Sequence, residues 1–178
     1  MPGAPPAAEP RRPRPAPRTP PVPQAGGADL RQKGEETMTE PERPRPGADR
    51  DSAAWWELVR GHRLAVQRCT GCALLRFPAR EYCPACRSRS WEWQDSAGTG
   101  RVASWTVTHQ PFHPAFAAEV PYTVLRVALD DGPGLHCWGR LAGAGPEVLA
   151  AGLPVEAVFT DAGPGLTLVD WRPAAPRR

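Results

Sequence analysis

Aromatic residues and cysteine are absent from the first 50 residues of this 178-residue chain, although those residues hold 13 of its 24 prolines. Such a composition cannot bury enough apolar surface to offset the entropy of ordering the chain. We therefore predict a disordered, proline-rich tail over residues 1–50 and a short tail over residues 174–178. Met38 lies just before the first foldable residues and is a candidate for the true start of translation.

Long hydrophobic runs are also missing. No stretch of about 18 apolar residues occurs anywhere, and the N-terminus lacks the apolar segment of a secretory signal. These absences predict a chain that neither crosses a membrane nor is exported, and hence a cytoplasmic location. Cysteines in that reducing compartment are expected to be metal ligands or buried thiols rather than disulfides.

An excess of charge of one sign is absent as well. Residues 51–178 carry 13 basic and 12 acidic side chains, and the whole chain has one lysine, Lys33. Proteins that bind nucleic acid by neutralising phosphates need a clear basic surplus. Nucleic acid is therefore not the expected partner. The foldable part, about 125 residues, is large enough for one modest core and too small for a two-domain enzyme with a deep cleft.

A short helix and a set of short strands are predicted in the foldable part. The helix contains Trp55 and Val59, begins after a cap at Asp51 or Ser52, and ends at Gly61. Turn sequences DDGPG and DAGPG predict two β-hairpins, and five short strands are typical of a small barrel. The predicted strands are residues 101–109, 122–129, 135–141, 155–159 and 166–171, with a turn or two of helix within 143–152.

Two Cys-x-x-Cys pairs, Cys69 with Cys72 and Cys83 with Cys86, are separated by ten residues. Each pair can aim two thiolates at one point, so the two pairs supply the four sulfurs of a tetrahedral zinc site. Four protein ligands leave no position for water or substrate, which predicts one structural zinc per chain. A thioredoxin-like dithiol and a rubredoxin-type iron site are the alternatives; the first lacks its βαβ context and the second usually has a wider gap. Cys137 is expected to be a buried strand residue.

Residues 52–173 resemble the acyl-CoA-associated zinc-ribbon OB-fold family, known as domain of unknown function 35. The motifs that carry the resemblance are WWELVRGHRL, the two knuckles with FPARxxCPAC, GTGRVASWTV, and HPAF before VPY. It implies a mainly β fold with a short N-terminal helix, a rubredoxin-like zinc ribbon within residues 51–97, and a five-stranded OB-fold barrel over residues 98–173. Ala73 and Arg87 stand where relatives often carry glycine, which predicts strained or altered knuckle turns.

The same resemblance implies a function. Members of this family look like small accessory subunits encoded beside thiolase-like or ketosynthase-like enzymes or acyl-CoA hydratases, and some bridge two such enzymes around coenzyme A. A partner enzyme of one of these kinds, with acyl-CoA as a further ligand, is therefore expected for this chain. Which partner, acyl group and pathway apply stays open.

A long aromatic loop separates the first two predicted barrel strands. It contains two histidines, two phenylalanines and three prolines between its ends. Aromatic anchors concentrate at binding sites, so one hypothesis is contact with a partner enzyme or acyl-CoA. The residues of this hypothesis are His109, Phe112, His113, Phe116 and Tyr122. In the alternative, the phenylalanines fold back over the barrel mouth and the histidines are solvated. Neither histidine has a carboxylate or nucleophile at a recognisable spacing, so no catalytic residue is assigned.

Three functional hypotheses remain. The first is a non-catalytic accessory subunit that binds a thiolase-like or related acyl-CoA enzyme and helps bind or present acyl-CoA. The second is a single-stranded nucleic-acid binder with a stacking platform of Trp105, Trp138 and Trp171, which the near-zero charge disfavours. The third is an acyl-CoA hydratase component that turns over substrate itself, which the missing acid, base and nucleophile set disfavours.

Overall fold

The computed structural model describes residues 42–175, so most of the two predicted tails lies outside the described residues. The helix α1 spans Ala53–Arg60, and eight strands follow it. They are β1 (Ala65–Cys69), β2 (Leu75–Arg76), β3 (Trp91–Asp95), β4 (Thr99–Thr108), β5 (Tyr122–Leu129), β6 (His136–Arg140), β7 (Pro154–Asp161) and β8 (Thr167–Pro173). Single 3-10 turns occupy Pro114–Phe116 and Pro146–Val148. Within the described residues, no helix is long and apolar enough to cross a membrane.

The amphipathic helix α1 packs through one apolar face. Trp55 and Val59 are buried, and the indole N–H of Trp55 donates to the carbonyl of Ala65 at 3.2 Å. The ring of Trp55 also lies 5.3 Å from the ring of Phe77, centroid to centroid. A helix this short is not stable alone, so these contacts with the ribbon, together with contacts to β8, hold it in place.

The start of α1 differs from the predicted cap. Ser52 occupies the cap position, but its side chain makes no hydrogen bond to the first turn. Instead its hydroxyl donates to Asp49 Oδ1 at 2.6 Å, and the backbone N–H of Ala53 donates to the Asp49 carbonyl at 2.9 Å. Asp49 therefore organises the helix start from outside it. The helix ends before Gly61, as predicted.

Residues 42–50 form neither helix nor strand, yet they contact the barrel. The Arg43 side chain forms an ion pair with Glu119. Arg45 Nη1 donates to the carbonyl of Pro164 at 2.7 Å. Part of the segment that the composition assigned to a tail thus runs along the barrel surface.

The first sheet is a three-stranded antiparallel ribbon with the order β2-β1-β3. Its central strand, β1, is largely buried, and the side chain of Gln67 on this strand is only 1% exposed. Gln67 Oε1 accepts hydrogen bonds from Arg76 Nε at 2.7 Å and from the Arg80 N–H at 2.9 Å. These bonds tie β2 and the segment after it to β1, which fixes the base from which both cysteine turns project.

The second sheet closes into the predicted five-stranded barrel. Its strands are antiparallel in the order β6-β5-β4-β7-β8. A parallel bridge between Leu141 and Trp171 joins the two edge strands, and the Ala142 N–H donates to the Trp171 carbonyl at 2.8 Å. Each predicted barrel strand agrees with an observed one to within two residues at either end. The two predicted hairpins connect β5 to β6 and β7 to β8.

The barrel core consists of inward-facing aliphatic residues around one tryptophan. Trp171 is completely buried. It fits because Gly139 on β6 has no side chain: a Cβ there would lie 2.2 Å from the Val169 carbonyl oxygen and 2.8 Å from Trp171 Cδ1. Other core members are Val102, Leu125, Val127, Leu129, Leu135, Cys137, Val155 and Val169. The bare backbone at this position lets β6 and β8 approach closely enough to close the barrel.

The β5–β6 turn holds the linker between ribbon and barrel. Asp131 accepts hydrogen bonds from the Ser96 hydroxyl at 2.5 Å and from the Ala97 N–H at 3.1 Å. The neighbouring Asp130 accepts from the Thr99 hydroxyl at 2.9 Å. One turn of the barrel therefore fixes the direction in which the chain leaves the ribbon.

Replacing Asp131 by alanine is expected to lower the free energy of unfolding by about 1–2 kcal/mol, because two hydrogen bonds to a carboxylate are lost at a half-buried site. Urea unfolding measures this cost. Asp130→Ala is a matched control that removes one bond, and its expected cost is smaller. A larger cost for Asp130→Ala than for Asp131→Ala would contradict the assignment of the linker to Asp131.

Candidate functional site

The two Cys-x-x-Cys turns have the same backbone hydrogen bonding. In each, the carbonyl of the first cysteine accepts the N–H four residues later, and its own N–H donates to the carbonyl five residues later. For Cys69 these distances are 2.9 and 3.0 Å, and for Cys83 both are 2.9 Å. The tight turn is thus a local property of six residues, which is why the sequence spacing alone predicts it.

The residue after the second cysteine of each turn adopts the left-handed backbone conformation. Ala73 has φ 61° and Arg87 has φ 62°. Because both residues carry a Cβ, each destabilises its turn by about 1 kcal/mol relative to glycine, which adopts this conformation freely. Having Ala73 and Arg87 in place of glycine therefore increases the backbone strain of the two turns without altering their hydrogen-bonded shape.

The four thiols converge on one point. The sulfurs of Cys69, Cys72, Cys83 and Cys86 all lie within 4.8 Å of one another. Between the turns, Cys69 Sγ is 3.5 Å from Cys86 Sγ and Cys72 Sγ is 3.6 Å from Cys83 Sγ. Zinc–sulfur bonds of about 2.3 Å in a tetrahedron separate sulfurs by about 3.8 Å. The four residues can therefore bind a tetrahedral zinc after shifts of about 1 Å or less in the separation of their sulfurs.

Backbone N–H groups lower the pKa of two of these thiols. Hydrogen bonds from the N–H groups of Cys86 and Ala85 lower the pKa of the Cys83 thiol to about 6. The N–H of Cys72 likewise lowers the pKa of the Cys69 thiol. Thiolates are the form that binds zinc, so the turns supply the geometry of all four ligands and favour the charged form of Cys69 and Cys83.

The fifth cysteine is not part of this cluster. Cys137 lies on β6 with 2% of its surface exposed, and burial raises the pKa of its thiol to about 12. It is a small core residue, as its strand pattern predicts.

The long loop between β4 and β5 shows two different environments. Phe112 is 90% exposed, and His109 is also exposed. His113 is half-buried, and its Nδ1 accepts the N–H of Ala115 at 3.2 Å. The loop therefore presents one free aromatic ring on a backbone that His113 helps to hold in a 3-10 turn.

Phe116 and Tyr122 belong to an aromatic–arginine cluster, which we define as Phe116, Tyr122, Arg43, Arg140 and Glu119. The guanidinium of Arg140 lies 4.2 Å from the centroid of the Tyr122 ring and 5.4 Å from that of Phe116. Arg43 lies 5.1 Å from the Phe116 centroid. Both arginines form ion pairs with Glu119. The folded-back hypothesis thus applies to Phe116, whereas Phe112 points into solvent.

The structure therefore brings together only some of the loop residues that the sequence singled out. It adds Arg43, Glu119 and Arg140, which the sequence did not indicate. Arg140 could have been found from strand alternation, since it lies two residues from Trp138 on β6. No signal in the sequence links Arg43 to a residue 76 positions away.

The three tryptophans of the barrel do not form a shared stacking platform. Trp171 is completely buried, and Trp138 is 55% exposed on the outer surface. Trp105 pairs with the buried Leu125, whereas Trp138 pairs with the next residue of β5, Arg126. Because consecutive residues of a strand point to opposite faces, Trp105 and Trp138 lie on opposite sides of the sheet. Their separation removes the main structural reason for a nucleic-acid binder.

No acid–base set surrounds the loop histidines within residues 42–175. There, neither His109 nor His113 is joined by a hydrogen bond or ion pair to a carboxylate or to a nucleophilic side chain. His62 has a carboxylate at 4.0 Å, from Asp161, but it lies at the end of the helix and stacks on Phe159.

Comparison with known families follows the two modules of the structure. Residues 56–92 match the ChsH2 rubredoxin-like zinc ribbon domain, and residues 93–160 match the ChsH2 C-terminal OB-fold domain. A chain of the solved structure described as "Ltp2-ChsH2(DUF35) aldolase" is 42% identical, with a TM-score of 0.68 over 74% of this chain and 100% of that one. The chain belongs to the ChsH2/DUF35 family. The fold expected from the sequence and the structural zinc of the ribbon are both confirmed by these matches.

Two curated relatives illustrate the family. A "Probable enoyl-CoA hydratase alpha subunit" of Thermomonospora curvata is 43% identical over 82% of this chain and 45% of its own length. A "DUF35 domain-containing scaffold protein" of Methanocaldococcus jannaschii is 31% identical over 60% of this chain and 74% of its own length. This DUF35 chain therefore spans about half the length of the hydratase subunit and most of the length of the scaffold protein.

Proposed function

We propose that this DUF35 chain is a non-catalytic accessory subunit that binds a thiolase-like, ketosynthase-like or hydratase acyl-CoA enzyme and helps to bind or present acyl-CoA. The observation that carries the proposal is Phe112, an almost fully exposed aromatic ring on a loop that is otherwise fastened to the barrel. Exposed aromatic rings on positioned loops are typical of protein interfaces. Cytoplasmic location is part of the proposal, since reduced thiolates hold the metal.

The metal site supports a structural role. Four cysteine sulfurs occupy every position of a tetrahedral zinc, so the metal has no position at which a substrate could bind. Such a zinc contributes to folding and does not take part in chemistry. The descriptions of the relatives support a role in a complex. One relative is called a subunit, one is called a scaffold protein, and one belongs to a structure whose description joins two protein names, Ltp2 and ChsH2, and calls them an aldolase.

The 109–121 loop supports the location of the partner surface. Phe116 holds the loop against the barrel through Arg140 and Tyr122, and His113 stabilises a 3-10 turn within the loop, so Phe112 is presented without a large cost in conformational entropy on binding. We place His109, Phe112, His113, Phe116 and Tyr122 at this surface. Phe112 is the exposed ring that would contact the partner, and the contact between the rings of Phe116 and Tyr122 packs the loop against β5.

Phe112→Ala is expected to weaken the complex with the acyl-CoA enzyme about tenfold or more, while changing the free energy of unfolding by no more than about 0.5 kcal/mol. The enzyme is first identified by affinity purification from the native host and mass spectrometry. Binding to the purified enzyme is then measured by isothermal titration calorimetry, and stability by urea unfolding. Phe116→Ala is expected to cost about 1–2 kcal/mol of stability, because that ring contacts the guanidinium groups of two arginines.

Tyr82→Ala is the matched control, since Tyr82 is an aromatic residue of the ribbon that is 52% exposed and belongs neither to the loop nor to the aromatic–arginine cluster. It should leave the affinity unchanged. The proposal fails if no acyl-CoA enzyme binds the wild-type chain. It also fails if the isolated chain turns over acyl-CoA at about 1 per second or faster.

A further inference from the structure

The outer surface of β4, β5 and β6 carries side chains that, apart from Arg140, belong neither to the zinc site nor to the loop and its aromatic–arginine cluster. Strand register places Ser104, Arg126 and Trp138 side by side in one row, because Ser104 pairs with Arg126 and Arg126 pairs with Trp138. The next row contains Val124 and Arg140. We call these five residues the β4–β6 face.

Trp138 and Arg126 form the exposed end of this face. Trp138 is 55% exposed, although tryptophan is expensive to leave in water. The Arg126 guanidinium lies 5.8 Å from the centroid of the Trp138 ring. Within residues 42–175, Arg126 has no carboxylate within 4.0 Å, whereas Arg140 and Arg43 share Glu119. The face thus has an arginine that is oriented by an aromatic ring and lacks a counter-ion among the described residues.

The β4–β6 face is continuous with the proposed partner surface. Arg140 belongs to both, since it stacks on Tyr122 at the end of the long loop. Tyr122 and Val124 lie two positions apart on β5, and Arg126 follows at the same spacing. An aromatic and arginine surface therefore runs from the 109–121 loop along β5 to Trp138. Tryptophan, tyrosine and arginine are the residues that dominate binding energy at protein interfaces.

We propose that the β4–β6 face docks a protein partner that presents a carboxylate to Arg126 and an apolar recess to Trp138. This rests on the proposed function and names the chemistry that the acyl-CoA enzyme must supply at the contact. Charge complementarity favours an acidic partner surface at Arg126, because no carboxylate among the described residues lies within 4.0 Å of its guanidinium, whereas Arg43 and Arg140 are already paired with Glu119.

A protein partner fits this face better than a nucleic acid. Stacking successive bases needs several aromatic rings along one surface, and Trp105 points to the other side of the sheet while Trp171 is buried. One face of the Trp138 ring is already occupied by Arg126. An arginine laid over a tryptophan can still accept a carboxylate through the edge of its guanidinium.

Arg126→Glu is expected to weaken binding to the acyl-CoA enzyme identified above by about tenfold or more, and Trp138→Ala by a similar factor. The charge reversal should also flatten the dependence of affinity on salt, because an attraction becomes a repulsion. Arg50→Glu makes the same change in net charge at a side chain that is 78% exposed beside α1, and it should bind like the wild type. Zinc content and urea unfolding show that each variant is folded.

The outcomes separate this inference from the proposed function. If the wild-type chain binds no acyl-CoA enzyme, the proposed function fails and this inference fails with it. If the wild type binds, but Arg126→Glu and Trp138→Ala bind equally well or Arg50→Glu is equally impaired, the inference alone is overturned. It is also overturned if these variants lose binding to a single-stranded oligonucleotide or to free coenzyme A while binding to the enzyme is unchanged.

Discussion

Cys83→Ser is expected to reduce the zinc content from one equivalent per chain to near zero and to unfold the ribbon. Cys83 is 1% exposed, and its thiol has the pKa lowered to about 6 by two backbone N–H groups. A hydroxyl at this position does not ionise near neutral pH and is a poor zinc ligand. Structural zinc contributes on the order of 10 kcal/mol to folding at neutral pH, which exceeds what the small ribbon core could replace.

Elemental analysis measures the metal, and circular dichroism with urea unfolding measures the fold. Cys137→Ser is the matched control, because it makes the same substitution at a buried cysteine outside the metal site. It should keep a full equivalent of zinc while losing some stability in the barrel. A Cys83→Ser protein that retains its zinc, or a wild-type protein that contains iron with visible colour, would rule out the zinc assignment.

Trp171→Ala is expected to lower the free energy of unfolding by about 3–5 kcal/mol, which is a large part of the total stability of a domain of this size. Trp171 is completely buried, and its backbone carries the contacts that close β6 onto β8. Its truncation leaves a cavity at the centre of the barrel, next to Gly139. The strands around that cavity are pinned by hydrogen bonds and cannot collapse into it.

Trp138→Ala provides the comparison for Trp171→Ala, because it removes the same side chain from the neighbouring strand at a position that is 55% exposed. Its expected cost is within about 1 kcal/mol. Urea unfolding at 25 °C measures both values. Equal costs for the two variants would contradict the burial of Trp171 inside a closed barrel.

The two tryptophan variants are expected to weaken binding for different reasons. Trp171→Ala should impair affinity only through loss of folded protein, whereas Trp138→Ala should impair affinity with little loss of stability. The difference between the two variants follows only from the position of each residue in the barrel, since both residues are tryptophans. It provides an internal test of whether the β4–β6 face acts as an interface.

The zinc site was predictable from sequence because each cysteine turn is closed within six residues. The spacing of Cys69 to Cys72 and of Cys83 to Cys86 fixes where the thiolates can point. The barrel strands were predictable for a related reason: alternation and the Asp and Gly turn residues act over a few positions. The strand Tyr122–Leu129 was predicted at its observed bounds.

Contacts between distant segments were not predictable in this way. Arg43 meets Glu119 across 76 residues, and only the folded chain brings them together. The start of α1 was not predictable for a different reason. Composition identifies Ser52 as a good helix cap, but its hydroxyl donates to Asp49, three residues before it. Several local hydrogen bonds compete at such a position, and the sequence does not show which one forms.

By itself, the sequence determined the four zinc ligands, the short helix, the five barrel strands and the family, because each depends on local spacing or on motifs a few residues long. Only the tertiary structure decided which tryptophan is core and which is surface, since alternation defines two faces of a strand without saying which one is buried. It also decided that Phe112 is free while Phe116 is packed, and that Arg126 lies over Trp138. Those distinctions depend on barrel closure and strand register, which bring together residues far apart in the chain.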